Sequence, residues 1–111
     1  MTICERFEVV VVPFPFVDSP TTKPRPALVL STRAFNAAHD ASLLAMITTA
    51  AHTHWASDVT IDHAAAGLRV LSVVRLKLFT LGNNMIARRI GALAPTDRPR
   101  VSAALADCLG V

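Results

Sequence analysis

Five of the chain's seven prolines fall between Pro13 and Pro26, and that cluster decides what the start of the chain can become. Each proline fixes φ and removes a backbone donor, so no helix can run through the segment. On either side of a polar connection stand two apolar runs, Val9 to Val12 and Ala27 to Leu30, β-branched or aliphatic and too short for helices. The stretch from Val9 to Ser31 therefore reads as a β-hairpin connected by Asp18 to Lys23. Arg25 is its odd member. It stands between Pro24 and Pro26, where stiff, extended backbone would hold a guanidinium ready for bidentate recognition of a phosphate or carboxylate. The alternative is an arginine that ends a strand and meets solvent.

Beyond the hairpin, Thr32 to Asp40 suits a short helical turn. Ser42 to Thr49 suits a third, buried strand, although its Leu, Ala and Met content leaves a helix open. Ala50 to Ser57 reads as an irregular loop, Ser57 to Asp62 as a strand, and Ala64 to Arg69 as a turn ended by Gly67. In Ser72 to Leu81, a period of two puts Ser72, Val74, Leu76 and Leu78 on one face and Val73, Arg75, Lys77 and Phe79 on the other. The second face could hold phosphates with its cations and stack a base on its ring, or could be an ordinary solvated face. Gly82-Asn83-Asn84 marks a turn, and Met85 to Leu93 returns as a strand carrying Arg88 and Arg89. Pro95 to Gly110 closes the chain as a helix, with Thr96 as N-cap and Asp97 in the first turn. Val101, Leu105, Cys108 and Leu109 form its apolar face, expected to pack on the sheet with Cys108 buried. The pattern predicts a mainly β fold of five or six short, mostly antiparallel strands with a C-terminal helix, as a bent sheet or half-open barrel.

At 111 residues the chain is expected to be one domain spanning residues 1–111. Apolar residues make up 52% and charged residues 17%, and the mean hydropathy is +0.45, so a homo-oligomeric face is expected. The longest apolar run, Val9 to Val17, holds two prolines and is too short for a membrane span. The charged N-terminus, MTICERFE, lacks the apolar core of a signal peptide; the expected location is the cytoplasm. Cys4 and Cys108 lie near opposite ends without the spacing of a metal or redox motif, and both are expected to be reduced. A net charge of +3 and a pI of about 9.5 permit nucleic acid as a partner.

Taken together, VVVVPFPFVD (Val9 to Asp18), RPALVLS (Arg25 to Ser31), AMIT (Ala45 to Thr48), WASDV (Trp55 to Val59), SVVRLKLFTL (Ser72 to Leu81) and RRIGAL (Arg88 to Leu93), followed by the closing helix, resemble in order the MazF/PemK toxins of bacterial type II toxin–antitoxin systems. The resemblance implies an SH3-like small β-barrel, a homodimer, and a ribosome-independent endoribonuclease that cuts single-stranded RNA at a short sequence without metal or other cofactor. It also implies a cognate antitoxin protein whose C-terminal segment covers the RNA groove. By position in the motifs, Arg25 and Thr48 are the implied catalytic pair and Arg75 stands in the next rank. Asp18, Lys23, Lys77 and Phe79 are the expected RNA contacts. The chain departs from the family pattern in three places: Phe7-Glu8 stands where Gly-Asp is usual, Gly82 where aspartate is common, and Lys77 where some relatives carry an acid.

RNA carries its own nucleophile, so cleavage needs removal of the 2′-OH proton, charge stabilisation on the phosphorane and a proton for the departing 5′ oxygen. Arg25 suits the charge and Thr48 a non-bridging oxygen, while Arg75 would add charge or hold substrate. His52 and His54, just after Thr48, are the residue type matched to proton removal at neutral pH, and equally read as surface-loop histidines. No metal site is expected. A gyrase poison of the CcdB type and a catalytically silent SH3-like module binding RNA or peptide are the competing functions, since one fold can host each of them.

Overall fold

The computed structural model describes residues 3–14, 21–51 and 54–111. β1 (Glu8–Phe14) and β2 (Lys23–Val29) pair antiparallel from Val9–Leu28 to Phe14–Lys23, the hairpin expected from the proline-rich segment. Its connection, residues 15–20 with Asp18, lies outside the described residues. α1 (Arg33–His39) follows; the Thr32 side chain caps it by accepting from the Phe35 backbone N–H at 3.2 Å, and Asp40 ends it in the left-handed region. The segment that left a helix open is a strand, β3 (Ala41–Thr49). β4 (Val59–Ile61), β5 (Ser72–Gly82), a 3₁₀ turn (Asn83–Met85), β6 (Arg88–Ala92) and α2 (Arg98–Leu109) complete the order.

Among the described residues, six strands form one antiparallel sheet in the order β4-β5-β3-β2-β1-β6. It curls until its two ends face each other: Val59 and Ile61 of β4 share a core with Val9 of β1 and Val101 of α2. Closure is made by a loop rather than by a ladder. The turn after β4 brings Ala66 and Gly67 onto β6 so closely that a Cβ on Gly67 would lie 2.0 Å from the Ile90 carbonyl oxygen, and one on Gly91 would lie 2.5 Å from the Ala66 carbonyl. Only glycine allows that approach, and at Gly67 it also supplies the positive φ of 79°.

Apolar clusters lie on both faces of the sheet. Val9, Leu28, Ala45, Ile47 and Val74 point to the inside of the curl, where α2 packs; Val10, Val12, Ala27, Val29, Leu44 and Leu81 point outward to a second cluster with Cys4. Burial pushes the Cys4 thiol above its ordinary range. A polar clasp behind the second cluster joins Asn36, Ser42 and Asn83: Ser42 Oγ donates to Asn83 Oδ1 at 2.7 Å and Asn83 Nδ2 to the Asn36 carbonyl at 2.9 Å. Such pairing removes the cost of burying amides.

Two expectations for the ends of the sheet are corrected. α2 begins after Asp97, not Thr96: the Asp97 carboxylate is drawn away to accept from the Asp62 backbone N–H at 2.8 Å and from Arg100 at 3.2 Å. Cys108 is exposed, as is Leu109, because Val101, Ala104 and Leu105 carry the packing of α2 and its last turn lies outside the core cluster. Phe7 adopts φ 73°, the conformation that the glycine usual at this place takes without strain. It is held there by its N–H donating to the Val29 carbonyl at 2.7 Å, by its carbonyl accepting from Leu93 at 2.8 Å, and by the Arg6 and Arg98 guanidiniums at 4.5 and 5.6 Å from its ring.

Candidate active-site groove

The prolines that made the hairpin also open the groove beside it. β2 pairs with β1 from Lys23 to Leu28 but with β3 only from Ala27 to Val29. Pro24 and Pro26, two residues apart, present no N–H along one strand edge, so Lys23 to Pro26 have no ladder to β3. β3 meanwhile continues past Met46 to Thr49, paired only with β5. The space between the parted strands is a cleft of about 500 Å³ lined by Phe14, Arg25, Pro26, Met46, Thr48 and, across it, Arg69.

Arg25 and Thr48 are thus brought together on the walls of one cleft. Pairing puts them on one side of the sheet: Arg25 lies opposite Val12, Ala27 opposite Met46 and Thr48 opposite Val73. Arg25 is exposed and has no ion-pair partner among the described residues, whereas Thr48 is half-buried. Lys23 is exposed opposite Phe14 at the hairpin end of the same strand.

Arg75 takes a different position from the one its neighbours in sequence suggest. It lies opposite Met46, next to the cleft, but only 9% of it is exposed and it is bound by a carboxylate the sequence reading passed over. Its Nε donates to Asp58 Oδ1 at 3.1 Å and its Nη2 to Asp58 Oδ2 at 2.8 Å. The hydrogen bond from Arg75 holds the Asp58 carboxyl below the usual carboxylate range against the opposing effect of burial, and Asp58 in turn raises Arg75. The available signal was the strand pattern itself: an arginine among buried valines and leucines needs a partner acid.

The alternating face of β5 is interrupted. The register against β3 shifts between Ala45–Leu78 and Met46–Arg75, leaving Leu76 and Lys77 outside the ladder. Lys77 is exposed with its Nζ 5.4 Å from the Trp55 ring, while Phe79 is half-buried against the outer cluster with Leu44 and Leu81. Lys77 and Phe79 therefore do not share one open surface. His54 is exposed, and His52 lies outside the described residues. Among the described residues no three His, Cys, Asp or Glu side chains gather as a metal site would require.

The model of the PemK-like, MazF-like toxins of type II toxin–antitoxin systems matches residues 5–109. The chain belongs to that family. This PemK-like chain is also similar in fold to solved structures. A Mycobacterium tuberculosis toxin, MazF-mt6, superposes with a TM-score of 0.75 at 24% identity, covering 94% of this chain and 97% of the other. An endoribonuclease in complex with its cognate antitoxin from a mycobacterial species gives 0.79 at 21% identity over 100% and 97% of the two chains. MazE–MazF from Deinococcus radiodurans gives 0.81 at 19% identity over 99% of each. At these identities the likeness establishes the curled sheet and terminal helix. No curated protein sequence matches the chain. No helix among the described residues is long and apolar enough to cross a membrane.

Proposed function

We propose that this PemK-like toxin is an endoribonuclease that cuts single-stranded RNA at a short sequence, with the RNA's own 2′-OH as nucleophile and no metal. The observation that carries the reading is the cleft shared by Arg25 and Thr48. In the reaction the 2′ oxygen bonds to the adjacent phosphorus as its proton leaves, the bond from phosphorus to the 5′ oxygen breaks, and that oxygen takes up a proton. Charge accumulates on the non-bridging oxygens between these events. The Arg25 guanidinium, free of a competing carboxylate among the described residues, meets that charge; the Thr48 hydroxyl donates to one oxygen and fixes the phosphate against the cleft wall. Lys23 extends the positive wall along β2. Arg75, occupied by Asp58, acts from behind the cleft as a fixed positive charge.

Family membership supports a cognate antitoxin as the natural inhibitor, and a segment with acidic side chains would fit the cationic cleft. The apolar composition supports a homodimer. The test is cleavage of a long single-stranded RNA in EDTA by antitoxin-free protein, with the new ends mapped by sequencing beside Arg25→Ala. Discrete cuts that disappear in the variant are expected; intact RNA from folded protein would overturn the reading.

A further inference from the structure

Trp55 is the only tryptophan in the chain, which has no tyrosine. The residue is 42% exposed in the loop before β4, an unusual place for the largest apolar side chain unless something holds it there. The Asp58 carboxylate does so. It accepts from the Trp55 backbone N–H at 3.0 Å while gripping Arg75, whose guanidinium carbon lies 5.4 Å from the centre of the Trp55 ring. A second cation, Lys77, lies 5.4 Å from the same ring; it is exposed and has no carboxylate partner among the described residues. The unit is therefore a half-open aromatic plate, its backbone tied to Asp58, with an ion-paired guanidinium and an exposed ammonium beside its ring.

We propose that Trp55 is the stacking platform for one base of the RNA, with Lys77 receiving a phosphate beside that base. The inference rests on the reading that the cleft takes single-stranded RNA, and adds where the strand continues once it leaves Arg25 and Thr48. Arg75 lies opposite Met46, which lines the cleft two residues from Thr48, so the guanidinium beside the plate belongs to the strand next to the cleft wall. An aromatic face next to a free cation matches the two surfaces every nucleotide offers, a flat base and a charged phosphate. Stacking accepts any base, so Trp55 sets the path and the grip of the strand rather than the letter read. Because Phe79 packs into the outer core cluster, Trp55 is the aromatic side chain standing beside the cations of β5.

The single tryptophan makes the test direct. Titrating the unmodified toxin with a single-stranded RNA blocked by 2′-O-methyl groups is expected to quench the Trp55 emission saturably. Trp55→Ala should weaken binding of labelled RNA and raise KM about 5- to 150-fold with kcat changed far less. Trp55→Phe should restore most of the loss, and Lys77→Ala should lower the salt dependence of binding by about one unit of slope. RNA that binds or is cut with Trp55 emission unmoved, or with KM unchanged in Trp55→Ala, overturns the platform and leaves the nuclease reading standing. Emission that responds only to an acidic peptide overturns it in favour of a protein partner. Failure of the wild type to bind any RNA removes both.

Discussion

Asp58 and Arg75 form a two-point clasp, Nε to Oδ1 at 3.1 Å and Nη2 to Oδ2 at 2.8 Å, that holds a nearly buried guanidinium on the strand next to the cleft wall. The pair joins the loop before β4 to the shifted register of β5, and Trp55 lies across it. Through this clasp the geometry of the loop becomes a property of the sheet.

The clasp gives stability a specific acid dependence. The Asp58 carboxyl is lowered in the folded chain, so between its folded value and the ordinary one of about 4 the unfolded chain binds more protons. Its stabilising contribution is therefore present above about pH 4 and lost as pH falls through the folded value. Thermal melts from about pH 6 to pH 2.5 should show a steeper loss for the parent than for Asp58→Asn. Parallel profiles would remove the assignment.

Arg25 is exposed and unpaired among the described residues, so Arg25→Ala should change stability by less than about 0.5 kcal/mol while lowering cleavage about 100- to 1000-fold. Melting and single-turnover cleavage of the same preparation separate the two quantities.

Thr48→Ala removes one hydroxyl from the cleft wall. Loss of a single neutral hydrogen bond predicts a fall of about 3- to 10-fold in cleavage, smaller than for Arg25. A loss larger than that of Arg25→Ala would exchange their proposed roles.

Phe7 and Gly67 test the backbone on either side of the curl. At φ 73°, Phe7→Gly should be more stable than Phe7→Ala by about 0.5–1 kcal/mol, with both below the parent because the ring's packing is lost. Equal stability of the two variants in urea titrations would mean that no strain resides there.

Gly67→Ala combines a positive φ with a Cβ 2.0 Å from a backbone oxygen. The expected loss is about 2–5 kcal/mol, large enough to lower Tm by more than about 8 °C. An unchanged Tm would mean that the turn after β4 does not close the curl against β6.

Short-range physics made most of the architecture readable before any coordinates. Prolines at fixed places excluded helix from the hairpin, Thr32 and Asp40 bracketed α1, and alternation of apolar residues marked β5, because each of these depends on a residue and its near neighbours. The family resemblance carried by the motif order named Arg25 and Thr48 together, and both line one cleft. What the sequence could not contain was distance between strands. The parting of β2 from β3 that makes the cleft, the Asp58 carboxylate that occupies Arg75, the packing of Phe79 into the outer cluster away from the exposed Lys77, and the exposure of Cys108 all depend on contacts between elements far apart in the chain. Local preference selects strands and turns; which charges meet and which faces stay open is decided only when the sheet curls and each buried group must find a partner.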